Sequence, residues 1–161
     1  MTAKPVHVRT ATLGDYEALL ALFDELDDIH PRARPDFFQA FDGPARSRRQ
    51  IEQWLSQPGS TLLVAERGAD VIGLALLLTR PAQAFAGAVP RKVIELDNLV
   101  VRADQRGWRV GRRLLAAGVD WARRQSATHV EVAVHAFNRD ARRFYENFGF
   151  APSIDRLVLK A

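Results

Sequence analysis

The chain has 161 residues, 47% of them hydrophobic and 26% charged, with 23 Lys+Arg against 19 Asp+Glu. That length suits one domain, and the composition excludes disordered, collagenous and fibrous chains. The absence of cysteine excludes disulfides, thiolate metal sites, iron–sulfur clusters and any acyl-cysteine intermediate.

The opening stretch, MTAKPVHVRT, lacks the apolar core of a signal peptide. The longest apolar run, Val71–Leu78, is far shorter than the ~20 residues a membrane helix needs. A cytoplasmic protein without a membrane partner is expected. Val6–Arg9 alternates as a short strand does, and Thr12 with Asp15 forms a capping-box signature. Tyr16, Leu19, Leu22, Phe23, Leu26 and Ile29 then recur at helical spacing, and this helix is expected to end before His30-Pro31. After a loop, Pro44 is the expected first residue of a second helix marked by Ile51, Trp54 and Leu55, which stops near Pro58-Gly59.

Thr61–Glu66 and Val71–Thr79 predict a hairpin around Arg67-Gly68-Ala69-Asp70. Pro81–Pro90 reads as a loop and Arg91–Val101 as the next strand. Val110, Leu114, Leu115, Gly118 and Trp121 mark a third helix. His129–Val134 is a predicted strand, Asn138–Asn147 a fourth helix and Ile154–Leu159 a closing strand. The expected order is β-α-α-β-β-β-α-β-α-β, an α/β (α+β) chain with a mixed, mostly antiparallel sheet flanked by about four helices. No internal repeat or linker interrupts it, so residues 6–161 are expected to form one domain.

The charge is local. From Arg102 to Arg113 five arginines face one aspartate, while the rest of the chain carries 18 charges of each sign. The same segment joins a strand to a helix through Arg106-Gly107-Trp108-Arg109-Val110-Gly111. Unpaired N–H groups and the positive dipole end of that helix favour a phosphate, and glycine lets backbone approach it closely. Arginine forks add bidentate donors. A glycine-bearing turn with solvated arginines fits the composition equally. Neither a Walker lysine motif nor G-x-G-x-x-G is present.

This junction resembles the acetyl-CoA signature of the GNAT superfamily of N-acetyltransferases, Gln/Arg-x-x-Gly-x-Gly/Ala. It matches at Arg106 and Gly111 and departs at Arg109, which stands where the family has glycine. The segment from Asn138 to Phe150 is similar to the family's Asn-x-x-Ala-x-x-Phe-Tyr-x-x-x-Gly-Phe at every marked position, and Ala11–Asp15 resembles its usual opening. The resemblance implies an acetyl-CoA-dependent N-acetyltransferase. Backbone N–H groups of Arg106, Gly107, Trp108, Arg109, Val110 and Gly111 would hold the pyrophosphate, with Arg112 and Arg142 as further cofactor-binding candidates. Leu99, Val100 and Val101 would pair with pantetheine amides and polarise the thioester carbonyl. Asn138 would bond the pantetheine arm, and Tyr145 would protonate the departing thiolate. Asn138 is also a good N-cap, and Tyr145 shares helical spacing with Ala141, Phe144 and Phe148, which suits a core position.

An attacking amine must lose a proton, so a base is required. Glu95 and Asp97 lie on one face of their strand and resemble positions where family members carry a catalytic carboxylate, with Glu95 slightly favoured. The alternative is structural ion pairing with Arg91 or Lys92. Without cysteine, direct transfer in a ternary complex is expected. The acidic run Asp24-Glu25-Leu26-Asp27-Asp28 either attracts a cationic amine or is a solvated helix face. His30, Pro35, Phe37, Phe38 and Phe41 could wall an acceptor pocket or pack as core, and Trp108 could stack on adenine. His7, His30, His129 and His135 lack metal-ligand spacing, so no metal is expected.

The expected acceptor is a small-molecule amine. A protein α-amine or lysine is an alternative, as is a catalytically silent CoA-sensing module. A nucleic-acid module fits poorly, because its footprint would be one turn without interleaved aromatics. The edge strands and the C-terminal strand could support a homodimer.

Overall fold

A computed structural model describes residues 4–40, 42–81 and 85–161. Among them the chain forms strand β1 (Val6–Thr10), helices α1 (Tyr16–Asp27), α2 (Ile29–Ala33) and α3 (Arg48–Ser56), and strands β2 (Ser60–Arg67), β3 (Asp70–Arg80) and β4 (Val93–Val101). Helix α4 (Val110–Arg124), strand β5 (His129–Glu131) and helix α5 (Arg139–Phe148) follow. The five strands lie side by side in chain order; the first four are antiparallel and β4–β5 is parallel.

The sheet is apolar on both faces, and a separate core fills each. On one side α1 buries Leu19, Leu22 and Phe23, and α3 buries Ile51, against Leu62, Val64, Leu74, Leu76 and Val100. On the other, α4 buries Val110, Leu114, Leu115 and Ala122 against Ala65, Ile72, Ala75, Leu77, Ile94 and Leu96. Gly118 lets α4 settle here, because a Cβ at that position would stand 3.0 Å from Leu77 Cδ1. Fully burying each of the valine, leucine, isoleucine and phenylalanine side chains among these contributes about 1.5–3 kcal/mol.

The helix boundaries differ from the sequence expectation in two places. The first helix ends at Asp27, before His30-Pro31 as expected, but an unexpected short helix, α2, begins at Ile29 and contains both residues. Pro31 sits in the first turn of that short helix, where its missing N–H costs no intrahelical bond. Pro44 is not the first residue of α3. Ser47 caps that helix instead, its hydroxyl accepting from the Gln50 N–H at 3.1 Å.

The strands differ at the C-terminal end. β5 stops at Glu131, and the expected closing strand Ile154–Leu159 is absent. The segment Leu157-Val158-Leu159 has strand-forming side chains, but among the described residues no strand pairs with it to supply ladder bonds. Residues 151–161 are all exposed.

Two irregularities of β4 shape the rest of the molecule. Its register with β3 passes from Leu77↔Leu96 to Leu76↔Asn98, so Asp97 has no partner and forms a bulge. Side-chain parity resets there. Before the bulge the even residues Ile94 and Leu96 face the α4 core, whereas after it Leu99 and Val101 do, and Val100 joins the opposite core. The second irregularity is the short pairing with β5, confined to Val93, Ile94 and Glu95 against His129, Val130 and Glu131. Beyond Glu95 the two strands part, and Leu96–Val101 runs on with no β5 residue paired to it.

Candidate active site

The parting of β4 from β5 leaves a fork whose walls are a strand edge on one side and Val132–Val134 on the other. Backbone groups of an unpaired strand edge must find partners. Leu99, Val100 and Val101 lie on this stretch of β4 that no β5 residue pairs, and the Val101 carbonyl there accepts from the Arg106 side chain. Their side chains divide between the cores: Leu99 and Val101 border the fork's cluster with Val130, Val132, Val134 and Phe144, while Val100 is buried on the α1 side.

At the open end of β4 the chain makes a 3-10 turn over Ala103–Gln105 and enters α4. The Arg106 Nε donates to the Val101 carbonyl at 3.1 Å, tying the turn to the strand end. Glu25 of α1 accepts from the Ala103 N–H at 2.7 Å and lies 3.5 Å from the Arg106 guanidinium. Gly107 has φ +82° and no atom within 4 Å of a would-be Cβ, so its surroundings are open. Arg109, where the motif has glycine, adopts φ +59° and ψ 18°, the left-handed conformation that glycine takes without strain. The loop therefore keeps the glycine backbone shape with an arginine side chain. Val110 is buried as the first residue of α4, and Gly111 packs against the Phe144 ring of α5.

The remaining cofactor candidates lie nearby with differing engagements. Trp108 is 60% exposed, with the Arg67 guanidinium 5.5 Å from its ring. Arg112 lies 5.2 Å from the Phe148 ring, and Arg142 is held by Glu146 at 3.0 Å. Asn138 caps α5, its Oδ1 accepting from the Ala141 N–H at 3.1 Å, which leaves its amide N–H groups available.

Tyr145 is buried in the α4-side core, edge-on to Phe144 and Phe150 at 5.2 and 5.6 Å. Both the core position and an acid role are compatible with this placement. Burial pushes its pKa up to about 12, so the phenol keeps its proton at neutral pH.

Glu95 and Asp97 are joined by a residue the sequence reading did not single out. Arg80, on β3, binds the Glu95 carboxylate through Nε and Asp97 through Nη2, the latter at 3.0 Å. Arg91 and Lys92 are engaged elsewhere, with Glu131 and with the Gln125 carbonyl. Burial, then the neighbouring charge of Glu95, raises the Asp97 pKa; Arg80 and Arg46 oppose the shift. A carboxylate raised in this way is a stronger base than one in water.

The acidic run on α1 is largely consumed by the fold. Asp27 pairs with Arg46, Asp28 with Arg32, and Glu25 with the turn before α4. Partnered carboxylates attract a distant amine weakly, so this placement favours the structural reading over steering. Of the expected pocket-wall residues, Phe41 lies outside the described residues and Phe37 is 53% exposed. His30 and Phe38 instead clasp His135 and Phe137, which follow β5. His30 lies 5.1 Å from both Phe38 and His135, and His135 stacks on Phe137 at 5.4 Å. Burial, followed by the charges of His30 and Arg34, lowers the His135 pKa, so its ring is neutral at neutral pH.

Comparisons with known proteins agree with this architecture. Residues 21–150 match the model of the Acetyltransferase (GNAT) family. An aminoalkylphosphonate N-acetyltransferase of Salmonella typhimurium is 31% identical over 149 residues, covering 91% of this chain and 85% of the relative. A tetramutant of the BH1408 protein of Bacillus halodurans has the same fold, with a TM-score of 0.89 at 22% identity over 96% of this chain and 99% of that one. The aminoglycoside N-acetyltransferase AAC(6')-Iy, solved in complex with CoA, superposes with a TM-score of 0.74 at 15% identity, covering 99% and 97% of the two chains.

Proposed function

The chain belongs to the GNAT acetyltransferase family, and on that premise we propose that it transfers the acetyl group of acetyl-CoA directly to a primary amine of a small molecule. The observation that carries this reading is the fork: β4 continues through Leu96–Val101 after its pairing with β5 has ended. A pantetheine arm carries amides that suit such an edge, and a thioester at its end would lie among Leu99, Val101 and the Tyr145 cluster. The open backbone at Gly107, the left-handed Arg109 and the first turn of α4 suit a pyrophosphate. These features fit acetyl-CoA as co-substrate.

The residues then divide the chemistry. Backbone N–H groups near Leu99–Val101 polarise the acetyl carbonyl. The amine nitrogen bonds to the carbonyl carbon, the carbon–sulfur bond breaks, and sulfur leaves with the electron pair. Asp97 accepts the proton that the attacking amine sheds, directly or through water. Its raised pKa favours it over Glu95, whose part is to keep that pKa high. Arg80 holds both carboxylates in place. Tyr145, protonated at neutral pH, gives its proton to the departing thiolate. Asn138 orients the pantetheine arm through its free amide N–H groups.

The small-molecule acceptor is supported by relatives that act on aminoalkylphosphonates and aminoglycosides. The test is thiol release from acetyl-CoA across a panel of aminoalkylphosphonates, aminoglycosides and polyamines, with a peptide α-amine and a lysine peptide alongside. Turnover with a small amine is expected. Turnover with peptides alone would overturn the acceptor class. Thermal stabilisation by CoA without turnover on any amine would mark a silent binding module.

A further inference from the structure

The turn that leads from β4 into α4 cannot cap itself. Ala103 opens its 3-10 turn, and the first N–H groups of a helical turn have no partner inside it. Arg102, in the cap position, has no side-chain acceptor to offer and instead binds Asp104, with its Nε 2.6 Å from Oδ1. The missing acceptor comes from another helix, 78 positions away in the chain. Glu25 lies one turn beyond Leu22, at the margin of the buried face of α1. Its Oε1 accepts from the Ala103 N–H at 2.7 Å and stands 3.5 Å from Arg106 Nη2. Arg106 Nε donates in turn to the Val101 carbonyl at 3.1 Å. One carboxylate oxygen thus engages both residues that flank the Asp104-Gln105 pair, while Arg67 of β2 holds Gln105 itself.

We propose that Glu25 is a positioning residue for cofactor binding: reaching from α1, its carboxylate fixes the turn that aims the backbone N–H groups of the following loop at the pyrophosphate. This role presupposes that the loop holds acetyl-CoA. The loop needs an external hold. Gly107 and Arg109 both have positive φ, +82° and +59°, and an L-residue keeps the left-handed conformation only where its surroundings over-determine it. At the exit the buried Val110 provides that constraint, and at the entry Glu25 does. Direction matters because an N–H···O bond weakens steeply as it bends. A loop that drifts at its entry therefore loses several phosphate bonds together. The geometry also gives Arg106 a different part from that of a phosphate fork. Its guanidinium is engaged by Val101 and offset by Glu25, so the side chain serves the shape of the turn.

The test compares acetyl donors with and without the pyrophosphate, using the full chain. Acetyl-CoA carries it, and acetyl-pantetheine, with the same thioester arm, does not. In Glu25→Ala, where alanine preserves the helix, the advantage of acetyl-CoA over acetyl-pantetheine in kcat/KM should shrink about tenfold, the lower end for a hydrogen bond to a charged group. The loss should lie in KM for acetyl-CoA, and calorimetry should show the same loss in Kd for CoA. Glu25→Gln retains an oxygen for the Ala103 N–H and should fall between the wild type and Glu25→Ala. An equal fall with both donors would assign Glu25 to the fold or to the acceptor side and overturn the proposal. Undiminished CoA affinity in Glu25→Ala would overturn it too. Because calorimetry needs no amine, a wild-type chain that does not bind CoA would overturn the reading of the loop as a cofactor site, a failure distinct from that of Glu25 alone.

Discussion

Arg80 Nη2 lies 3.0 Å from Asp97 Oδ1 across the β3–β4 ladder, and the same guanidinium binds Glu95. Burial is the main cause that raises the Asp97 pKa, and on top of it a neighbouring anion raises it further while a cation lowers it. Removing each partner should move the acid limb of the kcat/KM profile in opposite directions. Glu95→Gln should shift that limb to lower pH, because the neutral carboxyl loses its anionic neighbour. Arg80→Gln should shift it to higher pH. Asp97→Asn should remove the limb and reduce turnover by about 10²–10⁴-fold, the usual range for a lost general base. A limb that stays put in both Glu95→Gln and Arg80→Gln would show that another group titrates.

Arg109 offers a test of the departure from the family motif. Its left-handed backbone costs an L-residue about 1–2 kcal/mol, of which glycine's greater unfolded-state freedom would return about 0.5–1. Arg109→Gly should therefore raise stability by up to about 1 kcal/mol, read as a higher urea midpoint at unchanged slope. The backbone donors of the loop stay in place, so affinity for CoA should fall less than about tenfold, the worth of one exposed charge. A larger loss would mean that the guanidinium itself grips the cofactor.

Local signals place most of the candidate site's residues on their elements. Asn138 reads as a cap and is one, and the strand–turn–helix at Val101–Val110 follows from its periodicity and glycine spacing. Features set by pairing between distant segments were not legible. Which residue bulges from β4 depends on how Leu76 and Leu77 meet it, and nothing around Asp97 announces that register. Arg80 is 15 positions from Glu95 and becomes its partner only through the ladder. The His30–Phe38–His135–Phe137 clasp likewise joins α2 to the loop after β5. At the start of α3 two start signals compete within four residues, and Ser47 prevails over Pro44 because its hydroxyl satisfies a helix N–H. The C-terminal run has strand propensity, but propensity alone provides no neighbouring strand.

Asp15 anchors the entry to α1, and its effect on stability should depend on pH. Arg9 grips both carboxylate oxygens, at 2.8 and 3.0 Å, and the Thr12 N–H donates at 2.8 Å. The Arg9 hydrogen bonds, foremost, hold its pKa below the ordinary carboxylate value. The folded pKa is depressed, so the stabilisation is fully present above about pH 4 and is lost as pH falls through the folded value. Asp15→Asn should cost about 1–3 kcal/mol at neutral pH. That difference should shrink in acid, where the natural carboxyl is protonated too. Denaturation at pH 3 and pH 7 checks it, and an equal loss at both would assign the effect to packing.

Tyr145 separates a catalytic phenol from a core one. Tyr145→Phe keeps the ring and its edge contacts with Phe144 and Phe150, so a purely structural role predicts unchanged turnover. The acid role predicts a fall in kcat of about 10²-fold or more with KM for acetyl-CoA nearly unchanged, because the lost interaction arises only as the thiolate departs. The elevated pKa has a second consequence. An unfolded tyrosine ionises near pH 10 while the folded one holds its proton to about 12, so stability falls with rising pH between those values. Tyr145→Phe should abolish that alkaline decline whatever the enzyme does. Turnover and alkaline stability therefore report independently. A variant with full activity that is also spared the alkaline decline would place Tyr145 in the core and return the thiolate's proton to water.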